Sequence, residues 1–208
     1  MPGPTARPLD VRRAEVAARL GPVVHDLLAT GTSFRDLSVE QLAVAAGMVR
    51  STFYAHFRDK SDLLLTLARA AIDELIEAAL PWPGLPADAT EPDLAVILGR
   101  FTDIYLRHRG LMSALTEESQ HDRRVRIEFG RLYATGRPLL VEHIVAGQLA
   151  GSVDVAVDPE PTVAWLMAML DRGLYLMVRQ RRSPDEVERQ VGALTRIVWL
   201  TLYAGAGR

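Results

Sequence analysis

An all-α fold of about nine helices is what this chain predicts, on three observations. Apolar residues recur at three- and four-residue steps over most of its 208 residues. Gly and Pro fall between those stretches, where helices end. Nothing alternates in a way that could build a sheet: "GSVDVAVDP" (151–159) has the rhythm of a strand but no partner, and reads as a loop. A hydrophobic content of 49% with 24% charge is that of a globular protein long enough to bury a core.

Residues 1–8, with three Pro and one Gly, are expected to form a flexible arm. Val16, Leu20, Val23, Val24, Leu27 and Leu28 then predict a first helix from about Asp10 to Ala29, ending at Gly31. Ser38 is placed to cap a short second helix with the apolar stripe Leu42, Ala43 and Ala46, and Gly47 to stop it. A short third helix starts near Val49. Asp59 or Ser61 caps a fourth, which continues through Leu65, Ala68, Ile72, Leu75 and Ile76 to Leu80. "PWPGLPADATEP" (81–92) is a Pro-rich loop, followed by helical segments over roughly 93–115, 119–149, 159–181 and 184–204.

Composition narrows the function. No Cys is present, which excludes disulfides, thiolate metal sites and a Cys nucleophile. His25, His56, His108, His121 and His143 are scattered outside any HExxH pattern, and no GxSxG or phosphate-binding Gly loop occurs. Neither an enzyme, nor a cofactor, nor a metal site is expected. The first twenty residues lack a signal-peptide core. Val163–Val178 is too short to span a bilayer and is broken by Asp171 and Arg172, so a cytoplasmic protein without membrane contact is expected. The net charge of −2 conceals a small asymmetry: residues 1–60 carry eight Arg or Lys against six Asp or Glu.

The third helix is the chemically distinctive element. Val49, Phe53 and Phe57 stand at i, i+4 and i+8 and should share a buried face against Leu42 and the first helix. Arg50 and Tyr54 share another face, as do Thr52 and His56, with Ser51 between them. Two short helices around "AGM" have the dimensions of a helix-turn-helix, whose second helix enters the DNA major groove. Arg reads guanine bidentately, and Ser, Thr and Tyr suit phosphates and base edges. Lys60, the single lysine, is placed for a phosphate. Helix pairs with a Gly turn also occur in helical proteins that never touch DNA.

"LSVEQLAVAAGMVRSTFYAHFRDKSDLL" (37–64) resembles the helix-turn-helix of the TetR family of bacterial transcriptional regulators, and "RSTFY", "MLDRGLYL" and "TRIVWLTLYAG" are similar to one actinobacterial branch of it. The resemblance implies a flexible arm over 1–8, a helix-turn-helix domain over 9–58, a connecting helix over 59–80, the loop over 81–92, and a ligand-binding and dimerisation domain over 93–208. It implies a homodimer on a double-stranded DNA operator, with Ser38, Tyr54, His56 and Lys60 at phosphates and Arg50, Ser51 and Thr52 nearer the bases. Ala55 departs from the family, which often has an aromatic there. Phe101, Tyr105, Met112, Phe129, Tyr133, Trp165, Met169 and Tyr175 would surround a cavity for an apolar small-molecule effector, although such a series is also ordinary core. Asp171 and Arg172 read as a structural ion pair, an interface element or a ligand handle, the first two favoured. A ligand-responsive repressor is the reading; a helical carrier or sensor without promoter binding is the alternative.

Overall fold

A computed structural model describes residues 8–86, 88–180 and 182–205; the expected arm over 1–8 lies outside them except for Pro8. Among the described residues there are ten α-helices and no strand: α1 (Pro8–Ala29), α2 (Val39–Ala45), α3 (Arg50–His56), α4 (Lys60–Ala79), α5 (Glu91–Arg107), α6 (Arg109–His121), α7 (Arg123–Tyr133), α8 (Arg137–Ala150), α9 (Pro159–Arg179) and α10 (Pro184–Leu202). The fold is all-α, as expected. The two segments expected over 93–115 and 119–149 are divided into four helices for local reasons. His108 ends α5. Asp122 Oδ1 accepts from the Arg124 N–H at 2.7 Å and starts α7. Pro138 stands in the first turn of α8, where its missing N–H costs nothing.

The chain divides into two compact units, residues 1–71 with 110–132, and 72–109 with 133–208. In the first, α1, α2 and α3 pack on one another around Leu20, Val24, Phe34, Leu42, Phe53 and Phe57, each no more than 1% exposed. The same unit takes in most of α6 and α7. Gly110 lies so close to α1 that a Cβ there would stand 2.9 Å from Cβ of Leu28, so no larger residue fits without displacement. Arg124 of α7 pairs with Asp59 at 2.6 Å, and Arg35 lies 3.6 Å from the buried carboxylate of Glu118 on α6.

In the second unit α5 packs against α9 and α10, and α8 against α9. Its core joins Leu94, Ile97, Leu98, Ile144, Val163, Leu166, Val198 and Leu202 with Trp82 of the Pro-rich loop. Trp82 Nε1 donates to the Tyr203 hydroxyl at 2.9 Å. That hydroxyl donates to Nε2 of His143 at 2.7 Å, which leaves Nδ1–H to donate to the Pro83 carbonyl at 3.3 Å. Burial pushes the His143 imidazole below its ordinary pKa, and the Pro83 bond only partly offsets this. The folded state therefore binds fewer protons than the unfolded one, and its stability falls as pH drops below about 6.5. Thermal unfolding from pH 7.5 to 5.5 should show this decline, and His143→Gln should flatten it. An unchanged decline in the variant would assign it to other groups.

Candidate nucleic-acid interface

Two local devices build the α2–α3 pair. Ser38 Oγ accepts from the Gln41 N–H at 3.1 Å while Gln41 Oε1 accepts from the Ser38 N–H at 2.7 Å, a reciprocal cap at the start of α2. After Ala46 the chain reverses through Gly47 at φ +63°, a left-handed conformation that glycine adopts without Cβ strain, and Arg19 of α1 donates to the Ala46 carbonyl at 3.2 Å. Gly47 and Met48 close the turn by donating to Val44 and Ala43.

The expected two-sided character of α3 is present. Phe53 is 0% and Phe57 1% exposed, with ring centroids 5.3 Å apart. Arg13 of α1 covers the Phe57 ring at 5.2 Å and pairs with Asp62 at 2.8 Å. Burial opposes the charge on Asp62, but the Arg58 N–H and the Arg13 guanidinium outweigh it and hold this carboxyl below its ordinary range. On the other side Arg50, Ser51, Tyr54 and Ala55 are exposed, and Thr52 and His56 partly so. Arg50 lies over the Tyr54 ring at 5.4 Å and reaches its hydroxyl at 3.4 Å, so two of the expected DNA-contacting side chains pre-organise each other.

Two expectations need correction, and one open alternative closes. Val49 does not join the aromatic anchor: it is the extended residue that caps α3 and is 66% exposed, because helical spacing cannot be carried past a helix end. With Val44, 72% exposed, it adds an apolar group that sequence reasoning missed. Lys60 is not a free cation. Its Nζ donates to the carbonyls of Phe34 and Leu37 at 3.0 Å each and to that of Arg35, using all three donors on the turn before α2. Asp59, not Ser61, caps α4 by accepting from the Asp62 N–H at 2.8 Å.

The expected effector residues fall in both units. Met112 and Phe129 belong to the first unit, and Phe101, Tyr105, Tyr133, Trp165, Met169 and Tyr175 to the second. Tyr105 is 3% exposed. Trp165 lines no interior of the chain, being 78% exposed on the outer side of α9. Asp171 and Arg172 do not form the expected ion pair, because consecutive helical residues point about 100° apart; Arg172 instead covers the Tyr175 ring at 5.3 Å. A cavity of about 300 Å³ in the second unit is lined by Glu74, Glu77, Arg100, Asp103, Ile104 and Arg107, charged walls unlike those expected for an apolar effector. No group of three or more His, Asp or Glu side chains suited to a metal ion occurs among the described residues, nor is any described helix long and apolar enough to cross a membrane.

Residues 28–67, which contain this element, match the model of bacterial regulatory proteins of the TetR family. The chain is 28% identical over 209 aligned residues to the HTH-type transcriptional regulator EthR of Mycobacterium tuberculosis, covering 98% of this chain and 93% of the relative. Its fold is similar to that of a TetR-family transcriptional regulator from Mesorhizobium loti, with a TM-score of 0.70, 16% identity, and 93% and 99% of the two chains covered. A FadR transcriptional regulator from Bacillus subtilis, solved in complex with stearoyl-CoA, gives 0.69 at 17% identity, with 90% and 98% covered.

Proposed function

We propose that this chain, which belongs to the TetR family and is a transcriptional regulator rather than an enzyme, acts in the cytoplasm as a dimeric repressor. It would bind a palindromic operator and be released by a small molecule with an apolar body. The observation that carries the reading is α3 itself, anchored by two phenylalanines that are 0% and 1% exposed while Arg50, Ser51, Thr52, Tyr54 and His56 stay at the surface. In this reading Arg50, Ser51 and Thr52 face base edges, Tyr54 and His56 face phosphates, and the Ser38 cap holds the start of α2 against the backbone. Val49 offers its methyls to a thymine. Lys60 leaves the contact set and becomes the residue that fixes the turn before α2.

One α3 reads one half-site, so a palindrome needs two copies about 34 Å apart. Support for a dimer comes from the second unit, where Trp165 and Leu176 on α9 and Ile197 and Leu200 on α10 are 78%, 37%, 48% and 51% exposed. Such an apolar surface suits a second copy of the chain. Leu200→Asp is therefore expected to convert the dimer into a monomer in sedimentation velocity while leaving helix content unchanged. A monomeric wild type at micromolar concentration would contradict this. An apolar effector body draws support from the stearoyl-CoA held by the Bacillus subtilis regulator. Release follows if the effector favours a conformation in which the two α3 helices are misspaced for successive major grooves.

The test is retention of sheared genomic DNA by the purified protein. A regulator enriches a small set of fragments sharing one motif, and a carrier without promoter binding enriches none.

A further inference from the structure

We propose that the second unit holds a site for an organic cation, in which the Asp171 carboxylate, set among Tyr105, Tyr133 and Tyr175, takes an amine or quaternary ammonium group whose apolar body lies along α9. Its meaning as an effector site rests on the regulator reading above, but its test does not.

Asp171 stands in the middle of α9, a helix otherwise dominated by Leu, Met, Val and aromatic residues. Tyr175 follows it at i+4 and shares its face. From α5, which packs on α9, comes Tyr105, whose buried phenol is close enough to Asp171 for the carboxylate's charge to bear on it. Tyr133, at the end of α7, donates its hydroxyl to the Met167 carbonyl, one turn before Asp171 on the same helix. Three phenols from three helices thus gather at a single carboxylate.

Among the described residues no hydrogen bond or ion pair engages that carboxylate. Arg172 makes no bond to it and lies over the Tyr175 ring at 5.3 Å, near enough for its charge to act on Asp171. A half-buried charge without a partner is costly, and proteins ordinarily resolve it with a salt bridge or two or three donors. Burial accordingly pushes the Asp171 carboxyl upward, with Arg172 opposing. A bound cation supplies the missing charge, and tyrosine faces attract cations through their negative π-surface; the stacking of Arg172 shows Tyr175 already used in that way. An anion would meet repulsion at the same place, and a neutral alcohol would gain one hydrogen bond. One turn before Tyr105, the Thr102 hydroxyl is 1% exposed and has no partner, a second inward polar group on the same face of α5.

The experiment is calorimetric titration of the full-length protein, without DNA, using decyltrimethylammonium below its micelle concentration, with decanol and decanoate as probes of matched length. The ammonium is expected to bind on the order of tenfold more tightly than decanol, and decanoate most weakly. Asp171→Asn keeps shape and removes the charge; it should remove the preference for the ammonium, with thermal unfolding confirming a folded protein. Tyr175→Leu should weaken ammonium binding severalfold and leave decanol unaffected, and it serves if the first variant fails to fold. Equal binding of ammonium and decanol, binding of neither, or an undiminished preference in both variants overturns the site. Retention of genomic fragments is read separately. Fragments retained without any amine binding leave the regulator standing and remove this site. Amine binding without fragment retention does the reverse.

Discussion

Replacing Lys60 by Met is expected to lower the stability of the first unit by about 3 kcal/mol and to leave the slope of log affinity against log salt unchanged. The ammonium closes the turn before α2 by donating to the carbonyls of Phe34, Arg35 and Leu37, and it lies 5.5 Å from the centre of the Phe34 ring. Leu37 is followed directly by Ser38, whose reciprocal cap starts α2, so the lysine at the head of α4 sets where α2 begins. Met retains the aliphatic stem and loses the donors, leaving partly buried carbonyls with fewer bonds. DNA affinity then falls only as the folded fraction falls. A lysine on a phosphate would behave otherwise: its loss reduces the salt slope by about 0.9 at unchanged stability. Urea unfolding together with a salt titration of DNA binding separates the two cases, and a reduced slope with intact stability would return Lys60 to the phosphate set.

Arg50→Ala is expected to leave folding intact and to relax the preference at one base position by about 5- to 150-fold. The side chain is exposed, and among the described residues its hydrogen bond and ring contact both go to Tyr54, so no core contact is lost. What disappears is a bidentate donor held over an aromatic ring, and with it the means of distinguishing guanine at one place. Affinity for a site already altered at that base should hardly change. Competition among duplexes varied one base at a time measures this. A uniform loss across all of them would mean that Arg50 contacts backbone rather than base.

What was legible in the sequence was local. Ser38, Gly47 and Asp59 act within four residues of themselves, and Phe53 and Phe57 stand four residues apart, one inside α3 and the other the residue that closes it, so spacing identified them. The hold of Lys60 on the turn before α2 gave no signal, because its partners are 23 to 26 residues away, across a turn whose path the spacing does not reveal. Arg124, which pairs with Asp59 over 65 residues, gave no signal for the same reason. Val49 failed at a boundary, where helical periodicity stops applying. On α9, apolarity alone did not distinguish the inward side from the outward one: Trp165 faces out, while Tyr105 on α5 is buried. Asp171 stood out as a charge in an apolar helix, but its lack of a partner is a fact of three helices together.

The central claim is that α3 reads DNA with the face opposite Phe53 and Phe57. The most direct measurement selects fragments from random-sequence DNA with the wild type and Arg50→Ala in parallel and compares the two enriched motifs. The wild type should yield a two-fold symmetric motif with half-sites about 10 base pairs apart or a multiple of it, and the variant the same spacing with one base in each half-site degenerate. Identical motifs from both proteins, or no motif from the wild type, would contradict the assignment.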